Sequence, residues 1–456
     1  SYPQFIEGMI HKFLNSTTFD GYNPYRITKD GFDWETVEPD NPWSYIGYWG
    51  DHQIIYLLKF LEFIENHFPN KLYKYFSKSL FVYANVPYKI KSYKNILKDS
   101  KNTIDYDHQN ELLIDKRKNE IGTDGSLVHN SNSDIHRVNF IEKILATLLS
   151  KVSNFIPEGG IWMNTQRPEW NDANNALVGN GISMVTLYYL RRFVDFFNSL
   201  LEKTDLISVE ISSELNKFFN DIYFALNNNK NVINSSISDY DRKKIVDLLG
   251  TAGSDYRNKI YDNSFSGTKS AIGIKEIKEL TQLLLKYIDQ SIDSNKRIDK
   301  LYHAYNLLTI NGDRLSVSYL PEMLEGQVAV LSSGYLSSKE NLEVLDALKS
   351  SKLYRDDQYS YILYPNKDLG LFLNKNTIPS SKVNESKLLM KLLNDGNQQI
   401  VSQDCEGEYH FNCDFNNANG LVSELNLLPN KYSEIVKDDY DKILQIFEEV
   451  FNHKEF

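Results

Sequence analysis

Cysteine is scarce, with only Cys405 and Cys413 in 456 residues, both in the segment DCEGEYHFNCDF. Even with His410 and Asp404 or Asp414 added, their spacing matches no common zinc pattern, so no metal centre is expected. Two separate free thiols is the reading adopted, a local disulfide across a hairpin being the alternative in an exported protein. An apolar run of the roughly 20 residues that cross a bilayer is missing too, because the longest apolar stretches are broken by Lys59 and Glu62 or by Arg191, Arg192 and Asp195. Excess positive charge is absent: the net charge of −11 argues against a nucleic-acid groove or an anionic membrane surface as partner. There is no βαβ rhythm and no repeat of solenoid length. The chain opens at Ser1 without Met or a signal-like segment. Its native start is therefore expected to be missing and the chain to be a piece of a longer protein, its compartment open between cytoplasm, periplasm and secretion.

What is present is a core: 41% apolar residues with 24% charged suit a large globular fold. The chain is organised around residues 162–193, WMNTQRPEWNDANNALVGNGISMVTLYYLRRF. The first half is too polar and too rich in Asn for a helix interior, and Gly179 and Gly181 mark a turn, so it reads as a loop. From Ile182 the chain is apolar on almost every side, as a helix surrounded by helices must be. An earlier stretch repeats the plan, with Trp43, Trp49, Asp51, His52 and Gln53 leading into IIYLLKFLEFI. All five Trp (Trp34, Trp43, Trp49, Trp162, Trp170) fall in or beside these two loops, although 24 Phe and 30 Tyr are at hand to fill a core. Flat indoles beside fixed amides and carboxylates suit the apolar face and hydroxyl rim of a sugar ring.

Helical spacing marks 2–14, 53–68, 72–81, 138–155, 209–226, 274–288, 321–331, 338–348, 387–393 and 440–451. A strand is expected over 314–320. Residues 92–132 are lysine-rich and without period, and read as a solvated excursion of little chemistry, with His108 and His129 on the surface. Helices that are apolar all round alternate with helices that carry one apolar stripe, which suits two concentric layers. The fold expected is all-α, a double-layer (α/α)6 barrel forming one domain over 1–456, whose end loops bring positions near 50, 170 and 325 together.

Inverting glycoside cleavage needs an acid at the leaving oxygen and a second carboxylate that activates water. Glu169 and Asp172, flanked by Trp170 and Asn171, are the candidate acids, since partial burial keeps a carboxyl protonated. Asp172 as a helix N-cap is the plain alternative. Arg167 is either a substrate clamp or the partner of Glu169. For the base, YLPEMLEGQ offers Glu322 and Glu325, and GEYHF offers Glu408; Glu325 is favoured. The turn Ser332-Ser333-Gly334 is a candidate phosphate nest, with a generic turn as the simpler reading.

The segment RPEWNDANN resembles the DWNDG-type segment of cellobiose and chitobiose phosphorylases and related six-hairpin glycosidases, whose catalytic domain is an (α/α)6 barrel and which include glucoamylases and trehalases. The resemblance implies that Asp172 is the general acid. Glu169 stands where that motif has Asp, and Ala173 where it has Gly, which leaves Glu169 in contention. GYWGDHQ looks like the loop that holds the nonreducing-end sugar, implying contacts from Trp49 and Asp51. With His52, Trp162, Arg167, Trp170 and Asn171 these form the expected sugar-binding set. The expectation is an inverting glycoside hydrolase acting on a glucose-like oligo- or polysaccharide. The alternatives are a phosphorylase, with inorganic phosphate as co-substrate, and a barrel that binds carbohydrate without turnover. No cofactor is expected.

Overall fold

A computed structural model of the chain describes residues 3–24, 26–28, 31–33, 51–164, 177–366, 376–415 and 417–451, with backbone only at 32–33 and 51–53. They form two compact units, Ser1–Pro365 and Asn366–Phe456. The largest apolar cluster draws on residues from Ile6 to Val344, while a separate one is made only of residues from Ile378 to Phe451. The sequence reading draws no boundary at 365. Local periodicity reports which face of a helix is apolar, not which core receives that face.

Helices dominate, and no described helix is long and apolar enough to cross a membrane. Beside the helices, the described residues form a five-stranded antiparallel sheet, which the expectation did not include, in the order Arg314–Tyr319, Tyr305–Asn311, Gly181–Ser183, Gly160–Trp162, Phe155–Ile156. Three of these strands are only two or three residues long and buried throughout. They offer no alternation for a sequence pattern to detect.

The apolar helix expected after Ile182 forms as Met184–Glu202. The Ser183 hydroxyl accepts from the Thr186 N–H at 3.0 Å and so satisfies one orphan donor of its first turn. It packs against Asp51–His67, Ile274–Ser294 and Leu324–Ser332. In Ile274–Ser294 the stripe Ile274, Ile277, Leu280, Leu283, Leu284, Tyr287 and Ile288 is buried, as its spacing requires. The helix expected over 72–81 is a 3-10 turn, Leu72–Tyr75, followed by the strand Phe81–Val82.

A 25-residue helix, Asp239–Asn263, escapes the periodicity test altogether. Its buried side includes Arg242, Lys243, Gly250, Gly253 and Arg257, which does not read as an apolar stripe. A Cβ at Gly250 would lie 2.3 Å from the Tyr93 ring, and one at Gly253 would lie 2.7 Å from Ser153 Cβ. Here glycine marks close packing rather than a turn. Within 92–132 the helix His108–Ile121 buries only Ile114, in keeping with a solvated excursion. His129 departs from that reading: it is buried, its Nδ1–H donating to Ser133 O at 2.9 Å.

Helix Phe140–Val152 is buried at every position, charged ones included. Asn139 caps it by accepting from Glu142 N–H at 2.9 Å. The Glu142 carboxylate accepts from Ser212 N–H at 3.0 Å, from the Ser212 hydroxyl in a short contact, and from Lys269 Nζ at 3.0 Å. His136 Nε2 donates to the same hydroxyl at 2.8 Å, its ring stacked on Phe265 at 4.0 Å. Burial pushes the Glu142 carboxyl up, but the bond network with His136, the Lys269 charge and the Ser212 hydroxyl outweigh it and hold the group below its ordinary value. A depressed carboxyl pKa contributes stability that is present above the unfolded value and lost as pH falls through the folded one. Glu142→Gln is accordingly expected to lower unfolding stability by about 3–5 kcal/mol at neutral pH, the cost of breaking one partner out of a buried ionic network. The difference from wild type should shrink as the buffer is acidified; urea melts at a series of pH values measure both effects.

Candidate active site

The polar loop that carries Glu169 and Asp172 is the connection of a hairpin. Its two stems, Gly160–Trp162 and Gly181–Ser183, pair through Ile161 with Ser183 and Trp162 with Ile182. Met163 N–H donates to Gly181 O at 2.9 Å and Gly179 N–H to Met163 O at 3.0 Å, so pairing continues into the loop base. Thr103 Oγ1 donates to Asn164 O at 3.0 Å, tying that base to the 92–132 excursion. Gly179 adopts a φ of 94°, a conformation open to glycine where a side chain would be strained.

Trp162, read as a sugar-contacting indole, has its place in the core. It is 1% exposed, packs with Tyr22, Tyr88, Tyr93, Ile182 and Val246, and its Nε1–H donates to Gly179 O at 2.7 Å. Sequence could not separate this Trp from its neighbours, because a loop base and a loop tip share composition and differ only in depth. Asp51 and His52 open the helix Asp51–His67, their side chains lying outside the described residues. Trp49, Arg167, Glu169, Trp170, Asn171 and Asp172 also lie outside them, as do Trp34 and Trp43.

Glu325, the favoured second carboxylate, sits half-buried in the first turn of Leu324–Ser332, the positive end of that helix. Tyr305, fully buried on the five-stranded sheet, donates its hydroxyl to Glu325 Oε2 at 2.7 Å. The helix start is pinned to the same chain segment. Buried Gln327 accepts from Tyr302 N–H at 2.9 Å and donates to Tyr302 O at 2.8 Å and Met323 O at 3.0 Å. Glu322 is engaged otherwise, paired with Arg297 Nη2 at 3.0 Å. Glu408 belongs to the second unit, on the hairpin Val401–Gln403 and Tyr409–Phe411.

The Ser332-Ser333-Gly334 turn closes the same helix at its carbonyl end. Ser333 Oγ donates to Val330 O at 2.6 Å, while Ser333 O and Ser332 O accept from Arg191 and Arg192 at 3.1 and 3.4 Å. The carbonyl end of a helix carries partial negative charge, and here it draws guanidinium groups, an arrangement unlike an anion nest.

Sequence reasoning passed over a second feature of the first unit, a polar cleft of about 410 Å³ whose lining includes Asp20, Asn85, Lys89, Asp107, His129 and Tyr261. Buried Asp20 accepts from Thr18 Oγ1 at 2.5 Å and, in a short contact, from the Tyr261 hydroxyl. Lys89 pairs with Asp107 at 2.7 Å, and the Asn85 and Asn110 amides bond reciprocally at 3.0 and 3.1 Å. Fixed amides, carboxylates and ring edges around such a volume suit a polyhydroxylated ligand. Part of this lining comes from the 92–132 excursion, for which the sequence suggests little chemistry. The only sequence signal was the Asp107 cap of the His108–Ile121 helix, which looks like any other helix start.

Two comparisons bear on this geometry. Residues 369–454 match the model of the GH149 phosphorylase insertion domain 2, a segment that coincides closely with the second compact unit. The non-toxic nonhemagglutinin of Paraclostridium bifermentans is 23% identical over 224 residues, 46% of this chain and 18% of that protein. The chain thus spans less than a fifth of that relative's length.

The approach of Leu324–Ser332 to the sheet gives a direct check. A Cβ at Gly326 would lie 2.9 Å from Ala304 Cα. Gly326→Ala should therefore destabilise the fold by about 1–3 kcal/mol through overpacking, despite alanine's better helix propensity. A melting curve that rises instead would show that this helix does not pack as described. Over residues 369–454, then, the chain is similar to an insertion domain of a glycoside phosphorylase.

Proposed function

We propose that the protein is a glycoside phosphorylase acting on a glucose-like oligosaccharide, its catalytic barrel an (α/α)6 fold that carries an accessory unit over 366–456. The observation that carries this reading is the match of residues 369–454 to a phosphorylase insertion domain. It moves the weight from hydrolysis to phosphorolysis, in which inorganic phosphate takes the place of a base-activated water. In this reading Asp172 gives its proton to the leaving glycosidic oxygen as the C1–O bond breaks. An oxygen of inorganic phosphate attacks C1 from the opposite face, so the products are a sugar 1-phosphate of inverted configuration and the shortened oligosaccharide. Trp49, Trp170 and Asn171 hold the sugar, with Asp51, His52 and Arg167 around its hydroxyls, and Glu169 is the alternative acid.

A hydrolase is the second reading, favoured by one feature. The Glu325 carboxylate is held by Tyr305 on a pinned helix turn, as a water-activating base would be.

Incubating the protein with an oligosaccharide panel, with and without phosphate, separates the two. Sugar 1-phosphate that forms only when phosphate is present supports the proposal, and free sugar released at the same rate in its absence overturns it. Asp172→Asn should lower turnover by about 10²–10⁴-fold while oligosaccharide affinity stays within a few-fold; unchanged turnover would remove Asp172 as the acid. Glu325→Gln should leave phosphorolysis largely intact, whereas a hydrolase would lose its activity.

A further inference from the structure

The second unit carries a group of side chains outside any role proposed above. Its hairpin pairs Val401–Gln403 with Tyr409–Phe411 in the register Ser402 to His410 and Gln403 to Tyr409. The turn between them is held by Asp404, whose Oδ1 accepts from Glu406 N–H at 2.9 Å and Glu408 N–H at 2.8 Å. That leaves Oδ2 directed at His410, with Oδ2 and Nε2 separated by 3.0 Å. Glu408 stands at the end of the turn and His410 on the strand Tyr409–Phe411, two residues on. Donor atoms of Asp404, Glu408 and His410 all lie within 4.8 Å of one another.

The imidazole is oriented from outside the group. His410 Nδ1 lies 2.5 Å from Asn376 O, and since a carbonyl only accepts, Nδ1 carries the hydrogen. Asn376 is itself buried and fixed, donating from Nδ2 to Phe411 O at 2.7 Å and accepting from Phe411 N–H at 2.9 Å. A ring whose Nδ1–H is held by a backbone carbonyl presents Nε2 in the orientation typical of metal-ligating histidines. A protonated ring donates its Nε2–H to Asp404, an ion pair that favours the charged imidazole; in neutral imidazole Nε2 is a lone pair, and a cation bound between it and the carboxylate oxygens would take the proton's place.

We propose that Asp404, Glu408 and His410 form a site for a first-row divalent cation, best suited to zinc, with Asn376 O as the outer partner of His410. One imidazole and two carboxylates are a borderline donor set that favours zinc over magnesium or calcium, and three protein donors leave a fourth position for water. Zinc at about 2.0–2.2 Å from each donor requires the group to close up slightly. Glu408 is exposed and free to make that movement, while Asp404 and His410 are already set by backbone contacts. Bound there, the ion would join the turn, strand 409–411 and the Asn376 segment. Cys405 and Cys413 are exposed thiols outside this donor set.

The test uses the full chain with Cys405→Ser and Cys413→Ser, so that thiols cannot bind the metal, after chelator treatment and dialysis. Titration with zinc chloride in a calorimeter should show one equivalent bound, and magnesium chloride should give no comparable heat. His410→Ala should weaken zinc binding at least tenfold. Glu408→Gln, a surface change that leaves the hairpin bonds alone, should weaken it as well and abolish any zinc-dependent rise in melting temperature. No zinc heat in the thiol-free chain, or an isotherm unchanged by both substitutions, would overturn the proposal and leave Asp404 and His410 as an ion pair only.

Discussion

The carboxylate of Glu142 is the contact on which the first unit depends. It lies at the start of a helix with no solvent-facing side, and it reaches across to Ser212 and Lys269, on two strands that pair with each other. A buried charge left alone is costly, so these elements hold their mutual positions or the charge loses its partners. Lys143, the next residue, is treated the same way. Its ammonium donates to Thr17 O and Val82 O and lies over the Tyr83 ring at 3.9 Å. Burial alone pushes that lysine well below its ordinary value, with the Glu142 charge opposing the shift. Two adjacent buried polar side chains, Glu142 and Lys143, thus tie one helix to strands and loops drawn from four stretches of the chain.

The five-stranded sheet organises a different part of the first unit. It carries the stems of the polar loop, supplies Tyr305 to Glu325, and receives the Leu324–Ser332 helix at Gly326. Asn306, between them, donates to Gly159 O at 2.9 Å and Asn295 Oδ1 at 2.8 Å, so the sheet is cross-linked by a buried amide. A loop is held more precisely when its base is rigid. Here the base is strand pairing with Trp162 locked beneath it, which is a structural use for an indole that composition alone assigns to sugar binding.

The second unit stands on its own core and matches a segment known from a phosphorylase. In the described residues it contains Lys387–Asn394, Ala418–Leu427 and Ser433–Phe451, around a small hairpin. Buried Asp439 ties two of these helices together by accepting from the Ser386 hydroxyl at 2.9 Å and Leu388 N–H at 2.8 Å. The function proposed for the whole chain draws on this unit for its class and on the first unit for its chemistry.

What the residues declare by themselves is the amphipathic register of the long helices. The Ile274–Ser294 stripe, the apolar run after Ile182 and the Ser337-capped helix Ser338–Ser350 all follow from side-chain spacing, which acts within a few residues of chain. The polar, tryptophan-bearing segments were equally visible, because their composition excludes a helix interior. Tertiary structure alone decided the short strands, the glycine-lined Asp239–Asn263 helix, the depth of Trp162, the partner of Glu325 and the boundary near 365. Each of these depends on which distant residue arrives alongside, such as Tyr93 against Gly250 or Tyr305 against Glu325, and one-dimensional periodicity carries no record of that.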